Sequence, residues 1–342
     1  MIPLSTEGIA APGFISFGEV FDIPYISAAL HLPILEWNQV KNYTGDTRKS
    51  DPLGCWSVWA PLTGVLIPQA ADLSYTTIME PVKLLGMDEP HEPHVNLNKL
   101  VRLSDREVYE QVLQTHQPES HDEFPNTYPP DFQVLCFDFL YWASVLQPYE
   151  WETDFSPGWK IARHFRWSPK LLSIGNEYVR RLLAVPAVDP IPPFITVHVR
   201  HSDFGTRCRE TNVPLDECFA SLDAYAVRVR EVQAELEARP ALAGHGPFKV
   251  VVISDEPDPA WWAEVSAHGW LHIDHSPAGE DTDAKHGVWY TALIDMVTPT
   301  LGMGFVGTEA STMSMHARRR VEEWNGGVTR TVKWGRLGAD DH

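Results

Sequence analysis

Two short runs in the second half of the chain carry residue types suited to holding a phosphate group. The first is His198-Val-Arg200-His201-Ser202-Asp203-Phe204. Alternation along an extended strand points His198 and Arg200 to one side. An arginine fixed at a strand end offers a planar fork of donors that stays charged at any working pH. Pairing of Arg200 with Asp203, capping the sheet, is the plainer use of the same residues. The second run is Gly304-Phe-Val-Gly307-Thr308-Glu309-Ala310-Ser311-Thr312-Met313-Ser314, a strand leading through a glycine-containing turn into a helix. Free N–H groups and the positive end of the helix dipole make such a start an anion site, and Ser311, Thr312 and Ser314 add hydroxyl donors. Simple N-capping by Ser311 or Thr308 accounts for this run alone. Taken together, the two runs describe a diphosphate clamp that needs no metal.

Other acids and clusters are less informative. Ser254-Asp255-Glu256 closes another strand and places carboxylates where a ribose or base could bond, or where they act as helix N-terminal acids before Pro257 and Pro259. Asp295, among Ile294, Met296 and Val297, faces either a ligand's donors or solvent. Asp281-Thr-Asp283 has the D-x-D form used for divalent metals, but it lies in a charged loop with no apolar strand before it and reads as a solvated turn. His91, Glu92 and His94 have i, i+3 spacing, yet Pro90 and Pro93 keep them off a helix. Arg318-Arg319-Arg320 reads as a helical face with one arginine turned inward, and Trp261-Trp262 as core anchors.

The elements that must position these residues are regular after Val185-Pro-Ala-Val-Asp-Pro-Ile-Pro-Pro193, whose four prolines rule out a helix. The chain is divided there, into 1–184 and 185–342. Apolar strands are predicted at 194–199, 249–254, 270–274, 303–307 and 328–333. Helices are predicted at 215–238, 259–268, 287–298 and 311–324, the last ended by Gly326-Gly327. Such alternation implies parallel βαβ units and a doubly wound α/β sheet of Rossmann type. In that architecture ligands bind beyond the carboxyl ends of the strands, where both runs fall. The first half is less regular, with strand-like 14–17, 33–37 and 134–138, helix-like 104–116 and 168–184, and a proline-rich loop at 124–131.

The chain has 342 residues, 44% of them hydrophobic, and a net charge of -19. That balance excludes broad contact with nucleic acid or an anionic membrane face, so an anionic ligand must be met by a few placed cations and amides. No apolar run reaches the ~20 residues needed to span a bilayer, and the N-terminus has neither the basic start nor the apolar core of a signal peptide. A soluble chain is expected. Four cysteines, none at C-x-x-C spacing, support neither a disulfide scaffold nor a zinc site. Cys208 and Cys218 are close enough to clip a loop or to be two buried thiols. Asn42-Tyr-Thr44 is a glycosylation sequon.

The run Pro193–Phe204 resembles the H-x-R-R-G-D-F strand of GDP-fucose protein O-fucosyltransferases, and Phe305–Ser314 resembles their F-I-G-T-x-x-S-T-F-S segment, in the same order. The similarity takes in Val251–Pro257 and the helix carrying Asp295, spans most of 190–325, and has the flavour of the fungal members. It implies a GT-B fold of two Rossmann-like domains with the donor in the cleft between them. It also implies inverting, metal-independent transfer of fucose from GDP-fucose to a protein or glycan hydroxyl. On that likeness Arg200 binds the β-phosphate and is the catalytic residue, and His198 touches the nucleotide. Ser311, Thr312 and the Met313 amide complete the phosphate site, Asp295 accepts from guanine, and Asp255 stands on the donor side. No cofactor or metal is implied. The family works in the secretory pathway, with a membrane involved only through an anchor upstream of this chain. Three departures stand out. His201-Ser202 replaces Arg-Gly, Met313 replaces Phe, and nothing matches the glycine-rich G-x-x-N-Q segment, since Gly13–Asp22 resembles the stretch that follows it. A truncated N-terminus is therefore expected, and Glu19 and Asp22 are the acids left to consider as a general base. Another nucleotide-sugar donor, or a relative that binds without transferring, are the alternatives.

Overall fold

The computed structural model describes residues 15–36, 39, 54–57, 133–136 and 159–340. The chain forms two compact units, 1–7 with 35–150 and 8–34 with 151–342. Within the first, the described residues are 35, 36 and 39 and a parallel pair of short strands, β1 (Gly54–Ser57) and β2 (Gln133–Cys136). The predicted helix at 104–116, the loop at 124–131, the sequon at Asn42 and the cluster at His91 lie outside the described residues.

The second unit is an α/β fold around a five-stranded, wholly parallel sheet. Its strands are β3 (Phe194–Val199), β4 (Lys249–Ser254), β5 (Leu271–His272), β6 (Gly304–Thr308) and β7 (Val328–Val332), in the order β5-β4-β3-β6-β7. The chain steps outward from β3 through β4 to β5, then returns to the other side of β3 for β6 and β7. Strand order thus reverses between β3 and β6, the place where an open parallel sheet leaves a crevice at its carboxyl edge. All six residues of β3 are buried. Its unbroken burial, with Thr196 and His198 as the two polar members, is what a central parallel strand covered on both faces requires.

Helices cover both faces. Among the described residues they are α1 (Phe17–Val20), α2 (Ile23–Leu30), α3 (Trp159–Ala162), α4 (Pro169–Leu183), α5 (Phe204–Glu210), α6 (Leu215–Cys218), α7 (Leu222–Glu237), α8 (Pro259–Ala267), α9 (Thr282–His286), α10 (Tyr290–Val297) and α11 (Thr312–Asn325). Ile195, Val197 and Val199 join Val252 and Val306 beneath Tyr225, Val229 and Val232 of α7. The opposite face takes Val179 and Leu183 of α4 against Phe194 and Val251, and Ala317 and Val321 of α11 against Phe305. Each such side chain, fully buried, contributes about 1.5–3 kcal/mol relative to exposure. α4, although it precedes the proline-rich stretch at 185, therefore belongs to the same core as the sheet. Ile15 and Val20 pack with α4 and α10 in a separate apolar cluster of the same unit.

Several elements differ from the sequence expectation for identifiable reasons. The helix predicted over 215–238 breaks at 219–221, where Ser221 caps α7 by accepting from the Ala224 N–H, and Cys218, closing α6, is disulfide-bonded to Cys208 of α5. The 270–274 strand shortens to two residues because Asp274 turns the chain, its carbonyl accepting from Glu280 N–H at 2.7 Å and its carboxylate from Ser276 N–H at 3.0 Å. The 14–17 strand is instead the approach to α1, whose N-cap Ser16 accepts from Glu19 N–H. No strand forms at 33–36. Two arginines of the 318–320 run, not one, turn inward. Arg320 lies 4.4 Å over the Trp167 ring and Arg319 5.5 Å over Trp159, cation–π contacts that offset part of their desolvation. Burial still brings Arg320 down to about 10.

Gly175 sets the crossing of α4 and α10. A Cβ there would lie 2.5 Å from Val297 Cγ1, so the two helices approach to a distance that only glycine permits. We expect Gly175→Leu to destabilise the fold by about 1–3 kcal/mol through overpacking, read as a lowered denaturant midpoint. An unchanged midpoint would mean that the helices separate freely.

Candidate functional site

The residues singled out after β3 and β6 are joined by a hydroxyl at the strand-order reversal. Thr308, the last residue of β6, donates its hydroxyl proton to the His198 carbonyl at 2.9 Å and accepts from the Arg200 N–H at 3.0 Å. With its own proton committed, it accepts at 2.7 Å from the hydroxyl of Tyr225 on α7. One side chain thus pins the carboxyl ends of both central strands and a helix on the covering face.

A second joint ties α11 to the same place. Ser314 Oγ accepts from the Thr308 N–H at 2.9 Å and lies 2.7 Å from His198 Nδ1. His198, 2% exposed, is pushed down to about 3, chiefly by burial and then by the Arg200 charge. The imidazole is therefore neutral, and we assign Nδ1 as acceptor of the Ser314 hydroxyl proton, with Nε2 carrying the ring proton. Ser314 can come this close because β6 has Gly307 beneath it. A Cβ at Gly307 would meet Ser314 Cβ at 2.8 Å and Phe305 Cε1 at 2.7 Å.

The helix start is built as the sequence suggested, with a different division of labour. Ser311 is the N-cap, its Oγ accepting from Ser314 N–H, and the ladder opens with Met315 N–H to Ser311 O at 2.9 Å. Ser311 and Ser314 are buried and face inward. Their hydroxyls hold the turn, and the groups left toward the edge are the N–H of Thr312 and of Met313, which have no acceptor among the described residues. Ala310, immediately before, has a left-handed φ of 61°, a conformation that costs a non-glycine residue about 1–2 kcal/mol and is typical of functional turns.

Arg200 is one-third exposed and held by carboxylates. Asp255 Oδ2 and Asp203 Oδ1 both engage the guanidinium, the latter at 2.7 Å. Asp255 Oδ1 also accepts from the His201 N–H at 2.9 Å, so both its oxygens have protein partners. The pairing of Arg200 with Asp203 foreseen from sequence is present, but Asp203 is mostly exposed and such a pair is worth about 0–1 kcal/mol. An arriving phosphate can displace it. His201 turns away, buried against Phe219 with Nδ1 2.6 Å from Glu256 Oε2. Ser202 adopts a φ of 22°.

A cavity of about 680 Å³ opens beyond β6 and β7, lined by Thr308, Glu309, Ser311, Arg318 and two cations not foreseen from sequence, Arg207 and Arg336. Its size suits a small molecule. Arg207 stands 5.3 Å over the Trp334 ring, which stacks on Phe204. The signal for Arg207 was its place on the first helix after Arg200. Nothing local marked Arg336.

Asp295 is placed elsewhere, by the turn after β5, where Oδ1 lies 3.1 Å from His275 Nε2. Its carboxyl is pushed up by burial, with the His275 contact opposing. The D-x-D acids hold no metal-like grouping. Among the described residues no three His, Cys, Asp or Glu converge on one point, and Asp283 accepts from Thr291 Oγ1 at 2.9 Å. The two acids considered as a base are committed to structure. Glu19 meets Lys170 and the Tyr290 hydroxyl, which hold its carboxyl below the usual range, and Asp22 caps α2.

No protein-family model matches the chain, and no curated protein matches it in sequence. Solved structures do match in fold. POFUT1 in complex with GDP-fucose aligns over 95% of this chain and 85% of its own, at 14% identity and a TM-score of 0.53. Its apo form aligns over 96% and 88%, at 13% identity and a TM-score of 0.56. POFUT1 in complex with GDP covers 93% and 85%, with a TM-score of 0.52. At such identities the likeness defines the fold class: an α/β chain with a parallel sheet, built as these fucosyltransferase structures are.

Because native His198 is neutral while the unfolded chain takes up a proton near 6.5, the unfolded state binds more protons below that point. Stability falls as pH drops from 6.5 toward 3, by up to about 1.4 kcal/mol per unit. His316, pushed down to about 4, adds a loss of the same sign. Denaturant unfolding at about pH 7 and about pH 5 should show a loss that is roughly 2 kcal/mol smaller in His198→Gln. An equal loss in both proteins would contradict the assignment.

Proposed function

We propose that the chain is a glycosyltransferase that takes fucose from GDP-fucose and transfers it, with inversion and without a metal, to a hydroxyl of a protein or glycan. The observation that carries this reading is the Thr308 hydroxyl, which ties the Arg200 backbone to the end of β6 at the strand-order reversal, just before the turn whose Thr312 and Met313 N–H groups have no acceptor among the described residues. The fold shared with POFUT1 structures solved with GDP-fucose and GDP supports it.

In the proposed reaction the acceptor oxygen attacks the sugar's C1 opposite the diphosphate and releases its proton to solvent, while the C1–O bond to phosphate breaks and its electron pair leaves with GDP. Positive charge builds on the sugar and negative charge on the β-phosphate. Arg200 and the two amides, held in place beforehand, lower the barrier by meeting the charge as it develops. Ser311 shapes the turn, the neutral His198 offers its Nε2–H to the nucleotide, Asp255 orients Arg200 on the donor side, and Asp295 accepts from guanine. A two-domain GT-B arrangement belongs to the same reading, with the acceptor side assigned to the unit of 1–7 and 35–150 and not to all of 1–184, because 8–34 and 151–184 fold with the sheet. The Cys208–Cys218 bridge favours an oxidising compartment such as the secretory lumen. Among the described residues no helix is long and apolar enough to cross a membrane, and we propose no nucleic-acid partner.

The engagement of Glu19 and Asp22 favours a second reading, nucleotide-sugar binding without transfer. Turnover of GDP-fucose separates the two. For the donor site, titration calorimetry should show GDP binding at least about tenfold tighter than UDP or CDP. Arg200→Ala should weaken GDP about 10–100-fold, the worth of a charge-assisted contact. Asp203→Asn, which removes only the competing exposed carboxylate, should leave GDP affinity equal or slightly improved. Undiminished GDP binding by folded Arg200→Ala would overturn the assignment.

A further inference from the structure

His275 was not among the residues the sequence marked. It follows β5 in the turn closed by Asp274, and its ring is fixed from three sides. Nδ1 is 2.8 Å from Thr282 Oγ1, whose hydroxyl lies 3.1 Å from that of the buried Tyr178. The Tyr178 ring stacks beside the imidazole at 6.0 Å with planes 27° apart. Nε2 reaches Asp295 Oδ1 at 3.1 Å. Thr282 is the middle residue of the D-x-D triplet and is fully buried, while Asp283 of the same triplet ties α10 through Thr291, one turn before Asp295. A sequence that looks like a metal motif thus clamps an imidazole and the helix it addresses.

Asp295 is only half satisfied by this arrangement. Oδ2 has no partner among the described residues, and the side chain remains 20% exposed. With His275 taking one lone pair of Oδ1, the carboxylate presents the remaining lone pairs outward in a fixed plane. Two parallel N–H donors complete that pattern. Among the common bases, guanine alone offers them side by side, at N1 and the 2-amino group. Uracil sets one N–H between two carbonyls, and adenine and cytosine place a ring acceptor beside their amino group.

We propose that His275 is a positioning residue that holds Asp295 edge-on to a guanine and so sets the base selectivity of the donor site. The inference rests on the GDP-fucose reading above. The test is titration calorimetry of GDP and IDP, which lacks the 2-amino group, with melting temperatures as the check on folding. The unsubstituted protein should prefer GDP by about tenfold. His275→Ala should lose most of that preference, GDP weakening far more than IDP. His275→Gln, whose amide N–H donates from near the Nε2 position, should keep it. Thr282→Val, which frees the ring, should shrink the preference in the same direction, and it serves where His275→Ala does not fold. A GDP-to-IDP ratio unchanged in His275→Ala, or equally lost in His275→Gln, overturns the inference alone. An unsubstituted protein that binds no GDP overturns the donor reading and the inference with it.

Discussion

The carboxyl edge of the sheet depends on the hydroxyl of Thr308. A threonine oxygen has one proton and two lone pairs, and here all three are used, by the His198 carbonyl, the Arg200 amide and the Tyr225 hydroxyl. The ladder between β3 and β6 ends at His198 and Gly307, so beyond that register the two strands share no backbone pairing. Bridging that gap with a side chain spares buried backbone groups a desolvation cost of about 1–3 kcal/mol each. It also fixes where Arg200 begins relative to the α11 start. Ser314, reaching over Gly307 to the Thr308 amide and the His198 ring, locks the helix to the same point.

That rigidity bears on how an acidic chain would present the anion site proposed for it. With a net charge of -19 the surroundings repel a diphosphate, so attraction must come from groups already aimed and already paid for in folding. Arg200 rests between two aspartates of different character. Asp255 is partly buried and bonded also to the His201 amide, and it orients the guanidinium. Asp203 is exposed and holds it weakly, so an anion exchanges with it at small cost.

Much of this was legible in the sequence, and the limits have physical causes. The strands at 194–199 and 249–254 were readable because central parallel strands are short runs rich in β-branched residues, and α11 because Ser311 and Gly326 punctuate it. β5 was overread because Asp274 bends the chain through its own carbonyl and carboxylate, an interaction with residues as far as Glu280 that periodicity does not register. The break between α6 and α7 turns on Ser221, a cap hidden inside a helical composition. At the candidate site, the residue types after β3 and β6 drew attention to the right sheet edge, whereas Thr308, Ser314 and His275 act through partners about 20 to 116 positions away, which spacing along the chain cannot reveal. Asp255 was visible as an acid at a strand end. That its oxygens are spent on Arg200 and His201 was not.

The proposed donor site places a nucleoside diphosphate beyond the ends of β3 and β6, against Arg200 and the first amides of α11. Amide hydrogen exchange of the whole protein, followed by mass spectrometry with and without GDP, tests it most directly. GDP should slow exchange in the segments 200–205 and 309–315 and leave 240–247, the loop before β4 at the opposite edge of the sheet, unchanged. GDP that binds and protects neither of the first two segments would contradict it.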